Sequence, residues 1–300
     1  MRAVTVLINQ QSGTARSLNL ADFCDTIRDI LGSYRIKPFI QLVDGAQVEE
    51  VIAQAIADKP ESIIVGGGDG TIATAAGLLE NTNISLGILP MGTFNLAARD
   101  HEIPLDLEEA LHVLAKASPV ATSLLRVSGQ PCLCTCIIGF YPRMTRILDE
   151  YHGTQWWRKT WNIFKVSVVR FTKSPLYAFT YETDTSSLEF RSRMLAIVPG
   201  AYRDSAGIIP ERTSTTPLSL TLYIFKHLTR IAMLRGIFAF LAGKLANDDD
   251  MQVLSATKAT LDFGRKKEIK TLIDGEVLQL PNPIILSLKP ESLRILHPQP

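Results

Sequence analysis

One stretch, Ile63–Thr71, constrains the fold more than any other part of the chain. It reads IIVGGGDGT, and residues 72–80 that follow have a helix-like composition. The pattern predicts a buried strand that enters a tight turn and then the N-terminus of a helix. Glycines permit positive φ and let a ligand approach the backbone without meeting a Cβ. The stretch therefore predicts both a βα unit and a place where a ligand lies close to the backbone.

The chemistry of this turn favours an anionic ligand. A helix N-terminus presents free N–H groups and a partial positive charge, which suit a phosphate. Asp69 adds a carboxylate of the kind that holds a magnesium ion or a ribose hydroxyl. A purely structural turn with an N-cap is the alternative, but four glycines around one acid exceed what such a turn needs. We therefore predict a phosphate-binding turn.

Strand-like and helix-like segments alternate over the first 120 residues. The strand-like runs are 3–8, 39–43, 63–65 and 85–89, with helical periodicity between them. This alternation predicts a parallel sheet with helices on both faces, whose ligands bind beyond the carboxyl ends of the strands. Three polar loops are expected at that edge: Asn9 to Gly13, Gly66 to Thr71 and Pro90 to Asn95.

The pattern changes after Pro119 to strand-like runs separated by turns, one of which is expected to span 253–263. These runs predict a largely antiparallel β-sandwich domain. Two helical inserts are expected, at about 147–171 and 227–245. We predict an α/β domain at 1–121 and a β-rich domain at 122–290. Whether the tail at 291–300 returns to the first domain is left open.

Composition excludes several classes of protein. The chain has 31 Lys and Arg against 30 Asp and Glu, so no overall field favours nucleic acid. No apolar run is long enough to span a bilayer, and the N-terminus lacks a signal-peptide pattern. The cysteines at 132, 134 and 136 are expected on one face of a strand, as small core residues rather than metal ligands. These features predict a reduced, cytoplasmic protein.

Two motifs together resemble the signatures of the diacylglycerol kinase catalytic family. Gly67–Thr71 reads GGDGT, and Pro90–Asn95 reads PMGTFN and is followed by Ala98 and Arg99. GGDGT alone is shared with NAD kinases and phosphofructokinases, whereas the second motif at this spacing is specific to the lipid-kinase side. The resemblance extends to Asp274–Glu276. It implies that 1–121 is a nucleotide-binding α/β domain of the NAD kinase/diacylglycerol kinase-like type. It also implies that the β-sandwich domain at 122–290 holds the lipid substrate.

This resemblance implies ATP-dependent, magnesium-assisted phosphorylation of a hydroxyl on a diacylglycerol-like or a sphingoid- or ceramide-like lipid, within lipid metabolism and phospholipid biosynthesis. It implies Glu276 as the general base, with Asp69 as the rival base. Mg²⁺ is expected mainly on the ATP phosphates, with Asp69 as a further candidate ligand. The nucleotide-binding residues that it implies are Asn9, Gln10, Gln11, Ser12, Gly13, Gly66, Gly67, Gly68, Asp69, Gly70, Thr71, Ile72, Gly92, Thr93 and Asn95.

The chain departs from the family pattern at several positions. Gln10 replaces a usual proline, Leu96 replaces an aspartate of many members, and Tyr141 stands where bacterial diacylglycerol kinases often have aspartate. The loop around Thr216 lacks the acids of their secondary magnesium site. These departures leave that metal site, the lipid headgroup and the acyl chains undetermined.

Two other functions remain open: a kinase of a small soluble metabolite such as NAD, and a nucleotide-binding module without catalysis. A lipid substrate would require transient contact with a membrane surface, peripherally at its inner face. Trp156, Trp157 and Trp161, among basic residues, are candidates for that contact or for the core. The sequence also leaves open whether two copies form a homodimer. For Glu276 the structural alternative is a residue that merely follows an Asp-Gly hairpin turn.

Overall fold

The computed structural model describes residues 2–139, 175–201, 214, 216–226 and 251–298. Its helices in these ranges are α1 Leu20–Ser33, α2 Val48–Ala57, α3 Asp69–Leu79, α4 Leu96–Asp100 and α5 Leu107–Lys116. Its strands there are β1 Arg2–Asn9, β2 Ile36–Val43, β3 Ser62–Gly67, β4 Ser85–Pro90, β5 Ser118–Val127, β6 Gln130–Cys132, β7 Cys136–Gly139, β8 Tyr177–Glu182, β9 Ser187–Ser192, β10 Met194–Pro199, β11 Leu220–Phe225, β12 Met251–Ala256, β13 Lys258–Asp262, β14 Glu268–Ile273, β15 Glu276–Pro281 and β16 Ile284–His297.

The first four strands form a parallel array in the order β2-β1-β3-β4. Every residue of β3 and of β4 is buried, as is typical of parallel strands covered by helices on both faces. Helix α5 begins where Asp106 accepts hydrogen bonds from the N–H groups of Glu108 and Glu109, which satisfies two donors at the helix N-terminus. The predicted α/β architecture of this part is confirmed.

Strand β16 joins this parallel array to the antiparallel half of the molecule. Its first part pairs antiparallel with β13 and β5, and further along Ile295 lies beside Leu86 of β4 in parallel pairing. The register shifts between Lys289 and Leu293. A ten-stranded sheet results, because β5, β6, β8, β9 and β13 belong to it as well. The exact domain boundaries stay a prediction. Residues 293–297, which belong to the tail at 291–300, lie in this shared strand.

The second sheet has six antiparallel strands in the order β12-β11-β10-β7-β14-β15. It packs on the antiparallel part of the first sheet through a common hydrophobic core. Leu125 and Phe179 from the first sheet lie in that core with Ile138, Leu222 and Ile269 from the second. The two layers form the predicted β-rich sandwich.

Two local predictions are wrong. Residues 253–263 do not form one strand, because β12 belongs to the second sheet and β13 to the first. Cys132 and Cys136 likewise lie in different sheets, and the connection at 133–135 crosses between them. The three cysteines therefore do not share a strand face, and Cys134 packs in the core of the α/β part. All three thiols are buried, as expected of core residues.

The predicted helical inserts at about 147–171 and 227–245, with Trp156, Trp157 and Trp161, lie outside the described residues, as does Tyr141. Of the helices that the structure describes, none combines the length and hydropathy needed to cross a bilayer.

Candidate functional site

The three loops predicted at the carboxyl edge of the parallel strands meet there. Asn9 Nδ2 donates a hydrogen bond to Thr71 Oγ1 at 3.0 Å. The N–H of Met91 donates to the Gly67 carbonyl at 3.1 Å, and the N–H of Thr14 donates to the Met91 carbonyl at 3.0 Å. Each loop is thus tied to another, and the GGDGT turn lies in the middle.

A fourth loop, after β2, completes this edge and was not predicted. The N–H of Gln10 donates to the Val43 carbonyl at 2.9 Å. A β-carbon added at Gly45 would lie 2.9 Å from Gln11 Oε1 and 3.7 Å from the Asn9 side chain. The signal was present in the sequence, because an Asp-Gly pair at the end of a parallel strand obeys the same edge rule as the other loops.

The N-terminus of α3 is an open array of backbone N–H groups at residues 69–71. Its N-cap, Gly68, supplies no side chain, and the first intrahelical hydrogen bond runs from Ile72 N–H to the Gly68 carbonyl. Ser12, in the loop that Asn9 ties to Thr71, has a buried hydroxyl without a hydrogen-bond partner in the described part of the chain. Uncapped N–H groups and an unsatisfied hydroxyl at the same edge of the sheet fit a phosphate.

Gly92 and Gly68 lie next to each other at this edge, but they differ in the space available for a β-carbon. A β-carbon on Gly92 would lie 2.6 Å from the Gly68 Cα, so packing requires glycine at 92. A β-carbon on Gly68 would meet only the Gly92 Cα at 3.6 Å, an ordinary contact. Gly68 has extended backbone, with φ −81° and ψ 175°. Packing therefore does not explain the missing side chain at 68, which leaves the backbone of the turn accessible.

Asp69 connects the two sequence motifs. Its Oδ1 accepts a hydrogen bond from the N–H of Ala97 at 3.4 Å, at the start of α4. Burial raises the pKa of the Asp69 carboxyl, while the N–H groups of Ala97, Leu96 and Asn95 act in the opposite direction. Asn95 in turn accepts from the N–H of Gly92 at 2.7 Å. Asp69 thus fills the N-terminus of α4 and fixes the second motif to the first.

Glu276 comes to this edge from the second sheet. The β14–β15 hairpin turns at Asp274 and Gly275, with φ +44° and +91°, as the Asp-Gly signal predicted. Glu276 follows the turn and is exposed. A β-carbon added at Gly70 would overlap the Glu276 carboxylate. The acid therefore lies against the first turn of α3, next to the open N–H array.

Besides its place in the turn, Asp274 has a second role that was not predicted. Its carboxylate is buried and accepts hydrogen bonds from the N–H groups of Leu133, Cys134 and Thr135 at 2.6, 2.9 and 2.8 Å. Burial raises the pKa of Asp274 to about 6 despite these three N–H groups, and the charge of Asp69 acts in the same direction as burial. No local sequence pattern could have revealed donors that lie about 140 residues away.

The other predicted site residues are spread around this edge. Ile72 is buried in the core under α3. Gly66 is the next-to-last residue of β3, and a β-carbon added there would lie 2.7 Å from Met91 Sδ. Gly13 faces Thr93, whose Oγ1 would be 3.8 Å from an added β-carbon. Over the described ranges, no group of three or more His, Cys, Asp or Glu side chains could hold a metal ion.

Solved structures share this two-part architecture. A crystal structure of a diacylglycerol kinase from Bacillus anthracis str. Sterne aligns with a TM-score of 0.72 at 17% identity, covering 99% of this chain and 97% of that one. Another crystal structure from the same organism gives a TM-score of 0.76 at 18% identity with the same coverage. At this identity the likeness establishes the fold, which is that of diacylglycerol kinases.

Sequence comparisons identify the first part of the chain. The family model described as diacylglycerol kinase catalytic domain matches residues 3–127, the part of the chain that carries both motifs, as the resemblance predicted. A Yersinia enterocolitica protein named "Probable lipid kinase YegS-like" is 43% identical over 111 residues, which are 36% of this chain and 37% of that protein. A Stenotrophomonas maltophilia protein of the same name is 30% identical over 144 residues, 44% of this chain and 39% of that protein. The chain thus aligns with little more than a third of these relatives' length.

Proposed function

We propose that this chain is an ATP-dependent lipid kinase that phosphorylates a hydroxyl of a diacylglycerol-like or a sphingoid- or ceramide-like lipid. The observation that carries the proposal is the position of Glu276 against Gly70. A carboxylate from the second sheet there lies against the start of α3, whose N-cap, Gly68, has no side chain. A phosphate donor and a hydroxyl acceptor could therefore meet between them. The naming of relatives as lipid kinases favours a lipid as the acceptor.

The chemistry asked of the protein is positioning and charge neutralisation rather than covalent catalysis. The N–H groups at 69–71 would hold the phosphate oxygens, with the Ser12 and Thr93 hydroxyls as further donors. Glu276 would accept the proton of the acceptor hydroxyl as that oxygen bonds to the γ-phosphorus. The bond from the γ-phosphorus to the bridging oxygen breaks in the same transfer, and ADP leaves with that oxygen.

Magnesium would enter with ATP. Bound Mg²⁺ supplies neutralisation of the phosphate charge. The described residues offer no preformed cluster of three or more ligand side chains, so the phosphate oxygens would be its main ligands. Asp69 is the carboxylate best placed to add to them, although its Oδ1 already accepts from α4. We therefore assign Asp69 primarily to holding the two motifs together and Glu276 to proton transfer.

The deciding experiment incubates the chain with γ-labelled ATP, Mg²⁺ and a total lipid extract, with NAD in a parallel reaction. We expect label in the lipid phase, and mass spectrometry of the labelled species then identifies the acceptor. Label only in NADP would replace this proposal with a soluble-metabolite kinase. Mg-ATP binding by calorimetry without transfer to either acceptor would indicate a nucleotide-binding module. Glu276→Gln serves as the matched inactive control.

A further inference from the structure

We propose that Asp274 is a positioning residue for Glu276. Its buried carboxylate anchors the tip of the β14–β15 hairpin on the connection at residues 133–135, and so holds Glu276 at the first turn of α3. The inference deepens the proposed function and rests on it, because it concerns the base of that reaction. It also makes a structural claim that can be tested without turnover.

The anchor uses both oxygens of the Asp274 carboxylate. Leu133 N–H donates to Oδ2, whereas the N–H groups of Cys134 and Thr135 donate to Oδ1. The backbone is tied in the other direction as well, since Asp274 N–H donates to the Thr135 carbonyl at 3.0 Å. Glu276, two residues on, is exposed. The hairpin tip is therefore fixed by its buried aspartate and leaves its glutamate available for a ligand.

The residues that lead into the connection at 133–135 pack on α3. Just before it, Pro131 packs on that helix so closely that a β-carbon on Gly77 would lie 2.8 Å from Pro131 Cγ. Arg126 donates hydrogen bonds to the Gly77 carbonyl at 3.1 Å and to Glu80 Oε2. The segment that holds Asp274 thus rests on the same helix whose first turn meets Glu276. One helix fixes both the N–H array and the position of the base.

The turn alone does not explain an aspartate at 274. Positive φ at 274 and 275 suits Asn-Gly or Gly-Gly as well as Asp-Gly. Three N–H donors converging on one side chain require two acceptor oxygens, which a carboxylate supplies and a carboxamide does not. Asp274→Asn therefore preserves the turn and the side-chain volume, and it places an amide NH₂ against at least one N–H donor. Leaving a buried donor unsatisfied loosens the anchor.

The test compares four variants with the parent: Asp274→Asn, Glu276→Gln, the double variant, and Leu280→Ala as a control. Leu280 is a buried core residue of β15 in the same hairpin. We expect Asp274→Asn to lower kcat at least tenfold, keep Mg-ATP affinity within twofold, and speed amide deuterium exchange at 133–135 and 274–277. The double variant should be no slower than Glu276→Gln, because the two residues act as one unit. The control should lower Tm and keep kcat within twofold.

Three outcomes would overturn the proposal. A multiplied loss in the double variant would show that Asp274 acts independently of Glu276. Near-parent kcat in Asp274→Asn with faster exchange would show that anchoring does not matter for turnover. Unchanged exchange would show that there is no anchor. If the parent protein transfers phosphate to no lipid, the proposed function is rejected, and with it the role of Asp274 in that reaction. Faster exchange in Asp274→Asn would still support the anchor in that case.

Discussion

The N-terminus of α3 and the connection at 133–135 both present consecutive backbone N–H groups, but they differ in what fills them. The N–H groups at 133–135 are occupied by Asp274. Those at 69–71 receive no capping side chain from Gly68. The start of α4 follows the first pattern, since Asp69 accepts there. The chain thus fills two N–H arrays with its own aspartates and has glycine at the array where we propose that the phosphate binds.

The largest expected effect lies opposite the open array, at Glu276. Changing Glu276 to Gln keeps the side-chain shape and removes the proton acceptor, so kcat should fall by about 10²- to 10⁴-fold. Mg-ATP affinity and Tm should stay at parent values, since the exposed carboxylate is not part of the N–H array. Steady-state kinetics, calorimetry and thermal unfolding measure these three quantities. Lower Tm with near-normal kcat would make Glu276 a turn residue only.

The filled array predicts a pH effect on stability. Burial raises the pKa of Asp274 to about 6, from an ordinary value of about 4. Between these values the folded chain binds more protons than the unfolded chain. This group's contribution to stability is therefore complete below about pH 4 and is lost as pH rises through about 6, roughly 3 kcal/mol in all.

Urea unfolding at a series of pH values tests this. The free energy of unfolding of the parent should fall, relative to that of Asp274→Asn, between pH 4 and pH 7. Parallel pH profiles for the two proteins would contradict the assignment of the titration to Asp274.

A pair of glycine variants separates packing from access in the open array. Gly92→Ala would bring a methyl group within 2.6 Å of the Gly68 Cα, and overpacking of this kind costs about 1–3 kcal/mol of stability. Gly68→Ala makes only an ordinary contact and should keep the parent Tm. It should weaken Mg-ATP binding about tenfold, or 1.4 kcal/mol, because its methyl group faces the ligand. Equal Tm for the two variants would show that packing does not distinguish Gly92 from Gly68.

The smallest expected effect comes from Gly70. Alanine favours a helix over glycine by about 1 kcal/mol, so Gly70→Ala should raise Tm or leave it unchanged. Its methyl group would displace the Glu276 carboxylate, and kcat should fall about tenfold. Gly32→Ala in α1 is the matched control, since a β-carbon there meets nothing within 4 Å. Unchanged kcat in Gly70→Ala would mean that Glu276 acts from another position.

The parallel core and the glycine turn could be predicted because their signals are local. Strands β3 and β4 are continuous apolar runs next to glycine-rich loops, and the edge rule then brings their loops together. The turn at Asp274 and Gly275 was predictable for the same reason. Local pattern and tertiary structure agree at these places, as they do in sequences with little frustration.

The rest could not be predicted because it depends on distant partners. Strand β9, Ser187–Ser192, is mostly exposed and lacks a buried apolar face. Strands β12 and β13 read as one run, since only Thr257 separates them and it carries no turn signal. The three N–H donors of Asp274 come from a connection far away in the chain. Its Asp-Gly turn gives a complete local explanation, which hides the second role of the aspartate.

Strand β16 also determines when the chain can finish folding during synthesis. Ile295 supplies the partner of Leu86, so the outer edge of β4 stays unpaired until about 200 more residues have left the ribosome. At ordinary translation rates this takes about 10–40 s. An exposed strand edge is a template for wrong pairing with other chains. The β4 edge of the nascent chain therefore stays open to such pairing, and the α/β part reaches its final form only after translation of β16.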